Sequence, residues 1–322
     1  MIPFMRIVFF GSGDFAVPSL RHLVNSRHEV ALVVTQPDRP AGRGKQLMAT
    51  PVAERAMIEG LPLERCPDVN ALAFIERLQN LHADIGVVIA FGQKILEPAR
   101  SAFRSQCVNL HASLLPKYRG AAPIPAAMLA GETTTGVTVF RLVDRMDAGP
   151  ILVQRQTAIA PTETADELEG RLAGVGCDAI EAALQMHESD PLPPGGVQDE
   201  SLATKAPKLS KADGFIRWEE PAVKIALRCR AMWSWPGVRC RYVSASGRKD
   251  EVTLVTVLPL PITTQDTPGT ITSVLTVATG HGCLEIHSLQ PAGKKPMSWQ
   301  DFVNGRHVRP GDRMETLAET KA

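Results

Sequence analysis

Asn109 and His111, two polar residues that could share a chemical task, lie two positions apart in a predicted β-strand, Cys107–His111. Alternate residues of a strand point to the same face, so we expect both side chains to emerge together. An amide NH₂ can stabilise charge developing on a carbonyl oxygen, and a neutral imidazole can donate a hydrogen bond or exchange a proton. The pattern indicates acyl-transfer chemistry; the alternative is a partly buried structural histidine beside a loop asparagine.

A carboxylate that accepts a hydrogen bond from His111 would fix the tautomer of the imidazole and raise its basicity. Two candidates, Asp144 and Asp147, follow the next predicted strand in the stretch Asp-Arg-Met-Asp-Ala-Gly-Pro. The same stretch would also form a good turn without any chemical role. The sequence therefore leaves both acids as possible partners of His111.

A glycine-rich turn, Gly11-Ser-Gly-Asp-Phe-Ala16, lies between a predicted strand and a helix and matches the G-x-G-x-x-A pattern of dinucleotide-binding proteins. That function also needs an acidic residue closing the second strand, to bind the ribose hydroxyl. Here the strand ends in Val33-Val-Thr-Gln-Pro37, and Asp38 lies beyond the proline. We therefore interpret the motif as a tight turn that could bind the edge of some ligand.

The segment Gln36–Gln46 is polar and carries three cations against one acid. Its cations are Arg39, Arg43 and Lys45, and only Arg43 has a glycine on both sides. Flanking glycines allow the backbone to approach a partner closely, and arginine binds a phosphate or a guanine edge bidentately. The alternative interpretation is a solvated loop with no partner.

The composition is that of a folded globular protein: of 322 residues, 44% are hydrophobic and 21% are charged. No apolar run reaches the roughly 18 residues needed to span a membrane. An apolar strand begins near Arg6, so we do not expect a signal peptide before it. The six cysteines have no C-x-x-C spacing, so we expect reduced thiols in a cytosolic protein and no zinc site.

Strands alternate with helices over the first part of the chain, which predicts an α/β fold around a parallel or mixed sheet. A proline- and glycine-rich stretch then predicts three regions: residues 1–188, a linker at 189–208, and residues 209–322. The last region has one predicted helix at 222–232 and short strands at 238–243, 252–257, 269–277 and 283–289, which indicates a small β-barrel.

The charge is distributed unevenly along the chain. Residues 1–208 hold 20 Lys and Arg against 23 Asp and Glu, whereas residues 209–322 hold 15 against 11. This excess of cations in the second part is a weak indication of a polyanionic partner.

Three segments resemble the 10-formyltetrahydrofolate-dependent formyltransferases: Val108-Asn-Leu-His-Ala-Ser-Leu-Leu-Pro116, Tyr118-Arg-Gly-Ala-Ala-Pro123 and Asp147-Ala-Gly149. Two more, Gln36–Lys45 and Leu289-Gln-Pro-Ala-Gly-Lys-Lys-Pro-Met297, resemble the members of that family that act on initiator methionyl-tRNA. The resemblance covers essentially the whole chain in one register. One departure is Ser12-Gly13, where the family has a Thr-Pro type of pair, and either pair makes a tight turn.

The resemblance implies a Rossmann-like formyltransferase domain, a linker and an OB-like β-barrel that binds tRNA. It implies roles for three groups of residues: catalysis by Asn109, His111 and Asp147; folate binding by Ser113, Leu114, Leu115 and Pro116; and contact with the tRNA acceptor end by Arg43, with Arg39 and Lys45 beside it.

The reaction it implies moves the formyl group of 10-formyltetrahydrofolate to the free α-amino group of initiator methionyl-tRNA, which gives N-formylmethionyl-tRNA for translation initiation. No metal is implied, and we expect a cytoplasmic, monomeric enzyme. The alternatives are a formyltransferase for a ribonucleotide amine or an amino sugar, a non-enzymatic RNA-binding protein on the same scaffold, and a nicotinamide-dependent oxidoreductase.

Overall fold

A seven-stranded sheet forms the centre of the first of two structural units in the computed structural model, which describes residues 4–41 and 46–317. Unit 1 comprises Met1–Pro123, Thr134–Ala158 and Glu169–Ala206, and unit 2 comprises Ile124–Thr133, Ile159–Leu168 and Pro207–Ala322. The strands up to residue 206 are β1 Arg6–Gly11, β2 Glu29–Thr35, β3 Arg39–Ala41, β4 Gln46–Met48, β5 Leu63–Arg65, β6 Ile85–Ile89, β7 Cys107–His111, β8 Arg119–Gly120, β9 Thr134–Arg141, β10 Ile151–Ala158 and β11 Lys205–Ala206.

The sheet has the strand order β5-β2-β1-β6-β7-β9-β10. The five strands from β5 to β7 are parallel, whereas β9 and β10 are antiparallel to their neighbours. Strands β1 and β6 are almost wholly buried, which is why both are continuous apolar runs rather than alternating ones. The chain order reverses between β1 and β6, so the fold is a Rossmann-like doubly wound sheet, as predicted.

The described residues form eight α-helices, of which α7 has the predicted bounds. They are α1 Val17–Val24, α2 Pro51–Ile58, α3 Leu72–Asn80, α4 Glu97–Arg100, α5 Pro123–Leu129, α6 Ala165–Ser189, α7 Ala222–Met232 and α8 Trp299–Arg306. Thr50 caps α2 by accepting a hydrogen bond from the Ala53 N–H, and Pro51 takes the first helical position.

Two polar residues near helix starts, Asp14 and Asn70, do not act as N-caps. Asp14 lies inside a short 3₁₀ turn, Asp14–Ala16, that precedes α1. Asn70 does not cap α3, because its side-chain oxygen accepts from the Leu96 N–H and Ala71 occupies the N-cap position.

Unit 2 is built on a nearly closed antiparallel barrel with strand order β14-β15-β13-β12-β17. Its strands are β12 Val238–Val243, β13 Lys249–Leu260, β14 Val277–Ala278, β15 Cys283–Pro291, β16 Met297–Ser298 and β17 Arg313–Thr316. Bridges from Thr270 to Arg313 and from Ile271 to Val277 connect β17 back to β14. The predicted strand at 269–277 is therefore only this pair of bridges and the start of β14, and it is the element that closes the barrel.

The segment 196–206, which is part of the predicted linker 189–208, pairs with strands of unit 1. Gly196 exchanges two backbone hydrogen bonds of 2.8 Å with Ile151, and β11 pairs in parallel with β8. Among the described residues, no helix is long and apolar enough to cross a membrane.

Candidate active site

Strand β7 brings Asn109 and His111 to the same face of the sheet, as their spacing predicts. Asn109 lies opposite Val88 of β6 and Phe140 of β9, and it is half-buried, whereas the His111 side chain is 8% exposed. Within the described residues, the Asn109 amide has no hydrogen-bond partner, so it remains able to bind a ligand.

The His111 imidazole is held by a backbone carbonyl rather than by a side chain. Its Nε2 atom lies 2.9 Å from the carbonyl oxygen of Tyr118. A carbonyl can only accept, so Nε2 carries the proton, and Nδ1 of the neutral ring presents its lone pair. Sequence reasoning did not single out Tyr118, since a backbone acceptor leaves no mark on residue type.

Asp147, and not Asp144, faces His111. Its Oδ2 lies 3.9 Å from His111 Nδ1, which is within ion-pair distance when the ring is protonated but too long for a direct hydrogen bond. Asp144 is 71% exposed and forms an ion pair of 2.9 Å with Arg100. The two acids that the sequence left open are thus distinguished by position.

The approach of Asp147 to His111 depends on a loop that turns back. Strand β9 is antiparallel to β7, and its last residue, Arg141, lies opposite Val108 near the start of β7. Residues 142–150 must therefore return toward His111, and Asp147 adopts a left-handed conformation, with φ of 51°, in doing so. Aspartate tolerates this region better than most residues.

The Asp147 carboxylate accepts a hydrogen bond of 2.8 Å from the Gly120 N–H. Gly120 has φ of 129°, and an added Cβ would lie 2.4 Å from the Ala206 carbonyl oxygen, so only glycine fits there. One short loop thus holds both partners, because the Tyr118 carbonyl binds His111 and the Gly120 N–H binds Asp147.

Arg119 lies between those two loop residues and is itself buried. Its guanidinium forms two hydrogen bonds, of 3.0 and 3.1 Å, with the Glu200 carboxylate. It also donates twice to Oε1 of Gln198, at 3.0 and 2.7 Å. Hydrogen bonds from Arg119 lower the pKa of Glu200, and Arg145 contributes further at 2.6 Å.

The predicted folate-binding segment has two buried and two accessible members. Ser113 donates to the Lys117 carbonyl at 2.6 Å, and the Leu115 N–H donates to Thr138 Oγ1 at 3.1 Å. Leu114 and Pro116 are only half-buried, so these two retain surface that can contact a ligand.

The backbone N–H groups of the glycine-rich turn after β1 form hydrogen bonds within the fold. The N–H groups of Ser12 and Gly13 both donate to the Ala90 carbonyl, at 3.2 and 3.3 Å. Asp38, the acid that a nicotinamide cofactor would require, is paired with Arg65 at 2.7 Å. This geometry agrees with the interpretation as a tight turn.

Of the predicted tRNA-contacting residues, Arg39 is described, while Arg43 and Lys45 lie outside the described residues. Arg39 is exposed and donates to the side-chain oxygen of Gln36 at 3.0 Å. Strands β3 and β4 form an antiparallel hairpin here, with Leu47 72% exposed. The pairing differs from the loop that the polar composition predicted.

The fold and the site define the chain as an α/β protein with a candidate acyl-transfer centre. Residues 5–184 match the family model of the formyl transferases, and residues 208–307 match that of their C-terminal domain. The chain belongs to the formyltransferase family and is a transferase enzyme.

Relatives match over nearly the whole length of the chain. It is 41% identical over 316 residues to the methionyl-tRNA formyltransferase of Methylococcus capsulatus, covering 97% of this chain and 100% of that one. It is 40% identical over 320 residues to the methionyl-tRNA formyltransferase of Moorella thermoacetica, covering 96% and 98%.

Solved structures share the fold. The sugar 3N-formyl transferase WlaRD, determined in the presence of dTDP and 5-N-formyl-THF, superimposes with a TM-score of 0.64 at 16% identity, over 91% of this chain and 100% of that one. HypX from Aquifex aeolicus gives a TM-score of 0.63 at 17% identity; the match covers 94% of this chain and about half (47%) of HypX.

Proposed function

We propose that this enzyme transfers the formyl group of 10-formyltetrahydrofolate to the α-amino group of initiator methionyl-tRNA, producing N-formylmethionyl-tRNA. The observation that carries the proposal is that the Asn109 amide and the His111 imidazole share one face of β7, with the Asp147 carboxylate 3.9 Å from His111, in a member of this family. Relatives that match the full chain at about 40% identity bear the name methionyl-tRNA formyltransferase.

The formyl donor supplies an activated carbonyl carbon, and the residues of this chain supply the charge and proton control around it. The Asn109 amide donates to the carbonyl oxygen as negative charge develops there. The His111 Nδ1 lone pair takes a proton from the attacking amine, because Nε2 is already committed to the Tyr118 carbonyl. Asp147 then stabilises the protonated ring across the 3.9 Å gap. As the bond between the formyl carbon and N10 of the donor breaks, the protonated His111 ring returns its proton to that nitrogen, so tetrahydrofolate leaves as a neutral amine.

In the segment Ser113–Pro116, two residues anchor the backbone and the other two are accessible to a folate ligand. Ser113 and Leu115 anchor the segment through buried hydrogen bonds, and Leu114 and Pro116 offer apolar surface to the ligand. Gly136 of β9 allows the close packing of Leu114, since a Cβ there would lie 2.7 Å from Leu114 Cδ2.

Arg43, with Arg39 and Lys45 beside it, is proposed to contact the acceptor end of the tRNA, and residues 209–322 are proposed to bind its phosphates. Residues 1–188 would form the catalytic domain and 189–208 the connection. The excess of cations in the second region favours a polyanionic partner. We propose further that the enzyme is cytoplasmic and acts as a monomer.

The direct test combines the purified protein with 10-formyltetrahydrofolate and charged initiator methionyl-tRNA and measures formylmethionine. A dTDP-linked amino sugar and a ribonucleotide amine serve as competing acceptors. Formylation of a small acceptor in preference to the tRNA would contradict the proposed substrate, and the absence of any transfer would contradict the proposed reaction.

Arg43→Ala sharpens this test. It should strongly reduce kcat/KM for the tRNA and leave folate binding unchanged, and Arg43→Lys should rescue poorly because lysine cannot make a planar bidentate contact. Lys45→Ala is the matched control: a simple phosphate contact would reduce the slope of log kcat/KM against log salt by about one. Equal activity of Arg43→Ala and wild type would show that this segment is a solvated loop.

A further inference from the structure

The segment 196–206 contacts the two loops that hold the catalytic side chains. The Thr204 carbonyl accepts from the Arg119 N–H at 2.9 Å, and Thr204 Oγ1 accepts from the Tyr118 N–H at 2.8 Å. The backbone of β11 pairs with Arg119 and Gly120 in β8. The peptide groups that bind His111 and Asp147 are therefore themselves bound by this segment.

Gln198 makes the most complete set of contacts in the segment. Its side-chain NH₂ donates to the carbonyl oxygens of Asp147, at 2.9 Å, and Gly149, at 2.8 Å. Its Oε1 accepts both hydrogen bonds from Arg119. The residue is only 5% exposed, and its two donors and its acceptor oxygen are all in use.

The contact with Asp147 matters because it fixes a residue whose backbone is in an uncommon conformation. Aspartate tolerates the left-handed φ of Asp147, but this conformation still has a cost that the neighbouring contacts offset. Gln198 holds its carbonyl, and the Gly120 N–H holds its carboxylate. Without Gln198 the turn could relax and move Oδ2 away from His111 Nδ1, and displacements of about 1 Å at a catalytic group can cost about 100-fold in rate.

We propose that Gln198 is a positioning residue for formyl transfer, which sets the orientation of Asp147 toward His111 through its two donor hydrogen bonds. This inference rests on the proposed function of Asp147. Gln198 makes its hydrogen bonds to the backbone of the Asp147 turn and to Arg119, and it acts on the reaction only through that turn.

Two substitutions separate positioning from a merely structural role. Gln198→Met keeps the length of the side chain and loses all four hydrogen bonds. Gln198→Glu keeps the acceptor for Arg119 and replaces the donor to Asp147 and Gly149 by a carboxylate oxygen that their carbonyl oxygens repel. We expect both variants to lower kcat about 10- to 100-fold, the scale of a misplaced catalytic group, with KM for both substrates within about threefold of wild type.

Recovery of full kcat in Gln198→Glu, with kcat still low in Gln198→Met, would overturn the proposal, because it would show that Gln198 serves only as the partner of Arg119. Full kcat in both variants would overturn it as well. The glutamate variant keeps the buried arginine paired, so it provides the test even where the methionine variant does not fold.

A matched control is Gln93→Met. Gln93 also bridges two backbone groups of unit 1: it accepts from the Val69 N–H at 2.9 Å and donates to the Cys66 carbonyl at 2.8 Å. Gln93→Met should lower Tm by an amount comparable to Gln198→Glu and retain its kcat. Equal losses of kcat in Gln93→Met and Gln198→Glu would overturn the proposal, because they would assign the loss to general destabilisation.

A double-mutant cycle isolates the path through Asp147. In the Asp147→Asn background, adding Gln198→Glu should reduce kcat by less than about threefold, because neighbouring residues that act as a unit are not additive. Full additivity would overturn the proposal. Wild-type protein without transferase activity would overturn both this inference and the proposed function, whereas an active wild type with normal Gln198 variants would overturn this inference alone.

Discussion

Two turns of unit 1, Gly11–Gly13 and Tyr118–Gly120, differ in the partners that their polar groups bind. In the first, the backbone donors bind the Ala90 carbonyl, and Ser12 Oγ is within hydrogen-bond distance of Thr35 Oγ1, the Gln36 N–H and the Phe91 carbonyl. In the second, the backbone binds the proposed catalytic side chains His111 and Asp147 and leaves His111 Nδ1 facing a carboxylate across 3.9 Å. The first turn therefore binds its own fold, whereas the second positions titratable side chains.

Removal of the His111 imidazole has the largest expected effect. His111→Ala should lower kcat about 10²- to 10⁴-fold, the usual range for a positioned proton-transfer group. The native fold should persist, as judged by circular dichroism and Tm. Turnover close to wild type in a folded variant would remove His111 from the mechanism.

Asp147→Asn should lower kcat by about 10²- to 10³-fold, near the lower part of that range, because the amide cannot stabilise a protonated His111. The matched control is Asp144→Asn, which weakens the pair between the exposed Asp144 carboxylate and the buried Arg100 guanidinium and should keep kcat within about threefold of wild type. Steady-state kinetics of the two variants compare the acids directly. A larger effect from Asp144→Asn would show that the wrong acid has been paired with His111.

Asn109→Ala should reduce kcat about 10²- to 10³-fold, as expected for the loss of one oxyanion donor. Folate affinity should fall much less, since the donor acts mainly after charge has developed. A folate titration beside the kinetics separates the two effects. Loss of folate binding with normal turnover at saturation would make Asn109 a binding residue.

Ser12→Ala tests the other turn. It should lower the free energy of unfolding by about 1–3 kcal/mol, because buried partners of its hydroxyl are left unsatisfied. Activity should change only slightly, which kcat/KM at a temperature well below Tm will measure. A large loss of kcat/KM with an unchanged Tm would indicate that this turn contacts a substrate.

His28 provides a structural counterpart to His111 and the smallest expected effect. Its ring is buried, Nδ1 accepts from the Met5 N–H at 3.1 Å, and burial lowers its pKa below 6.5 despite Glu181 and Glu188. The unfolded chain therefore binds a proton more readily, so the free energy of unfolding should fall as the pH drops below about 6.5. His28→Gln should show a weaker fall in Tm between pH 7.5 and 5.5, and an equally steep fall would assign the effect to other groups, such as His187.

Some parts of this protein follow from the local sequence. The spacing of Asn109 and His111 determines their common face, because a strand alternates its side chains with period two. The bounds of β7, α7 and β12 agree with the apolar patterns. The change in composition near residue 189 predicts an α/β region followed by a barrel, although residues up to Ala206 still belong to unit 1. The long motifs around His111 identify the family because they combine many residues in one register.

Other parts depended on tertiary structure. Residue spacing left Asp144 and Asp147 open, and the family resemblance favoured Asp147. Its position 3.9 Å from His111, however, depends on the return of a loop after an antiparallel strand, and short-range patterns do not encode where such a loop ends. The backbone groups of Tyr118 and Gly120, and the return of Gln198, were equally invisible, because a carbonyl or an N–H is present at almost every residue. Sequence thus determined which side chains could do the chemistry, and only the packing of distant segments decided which of them meet.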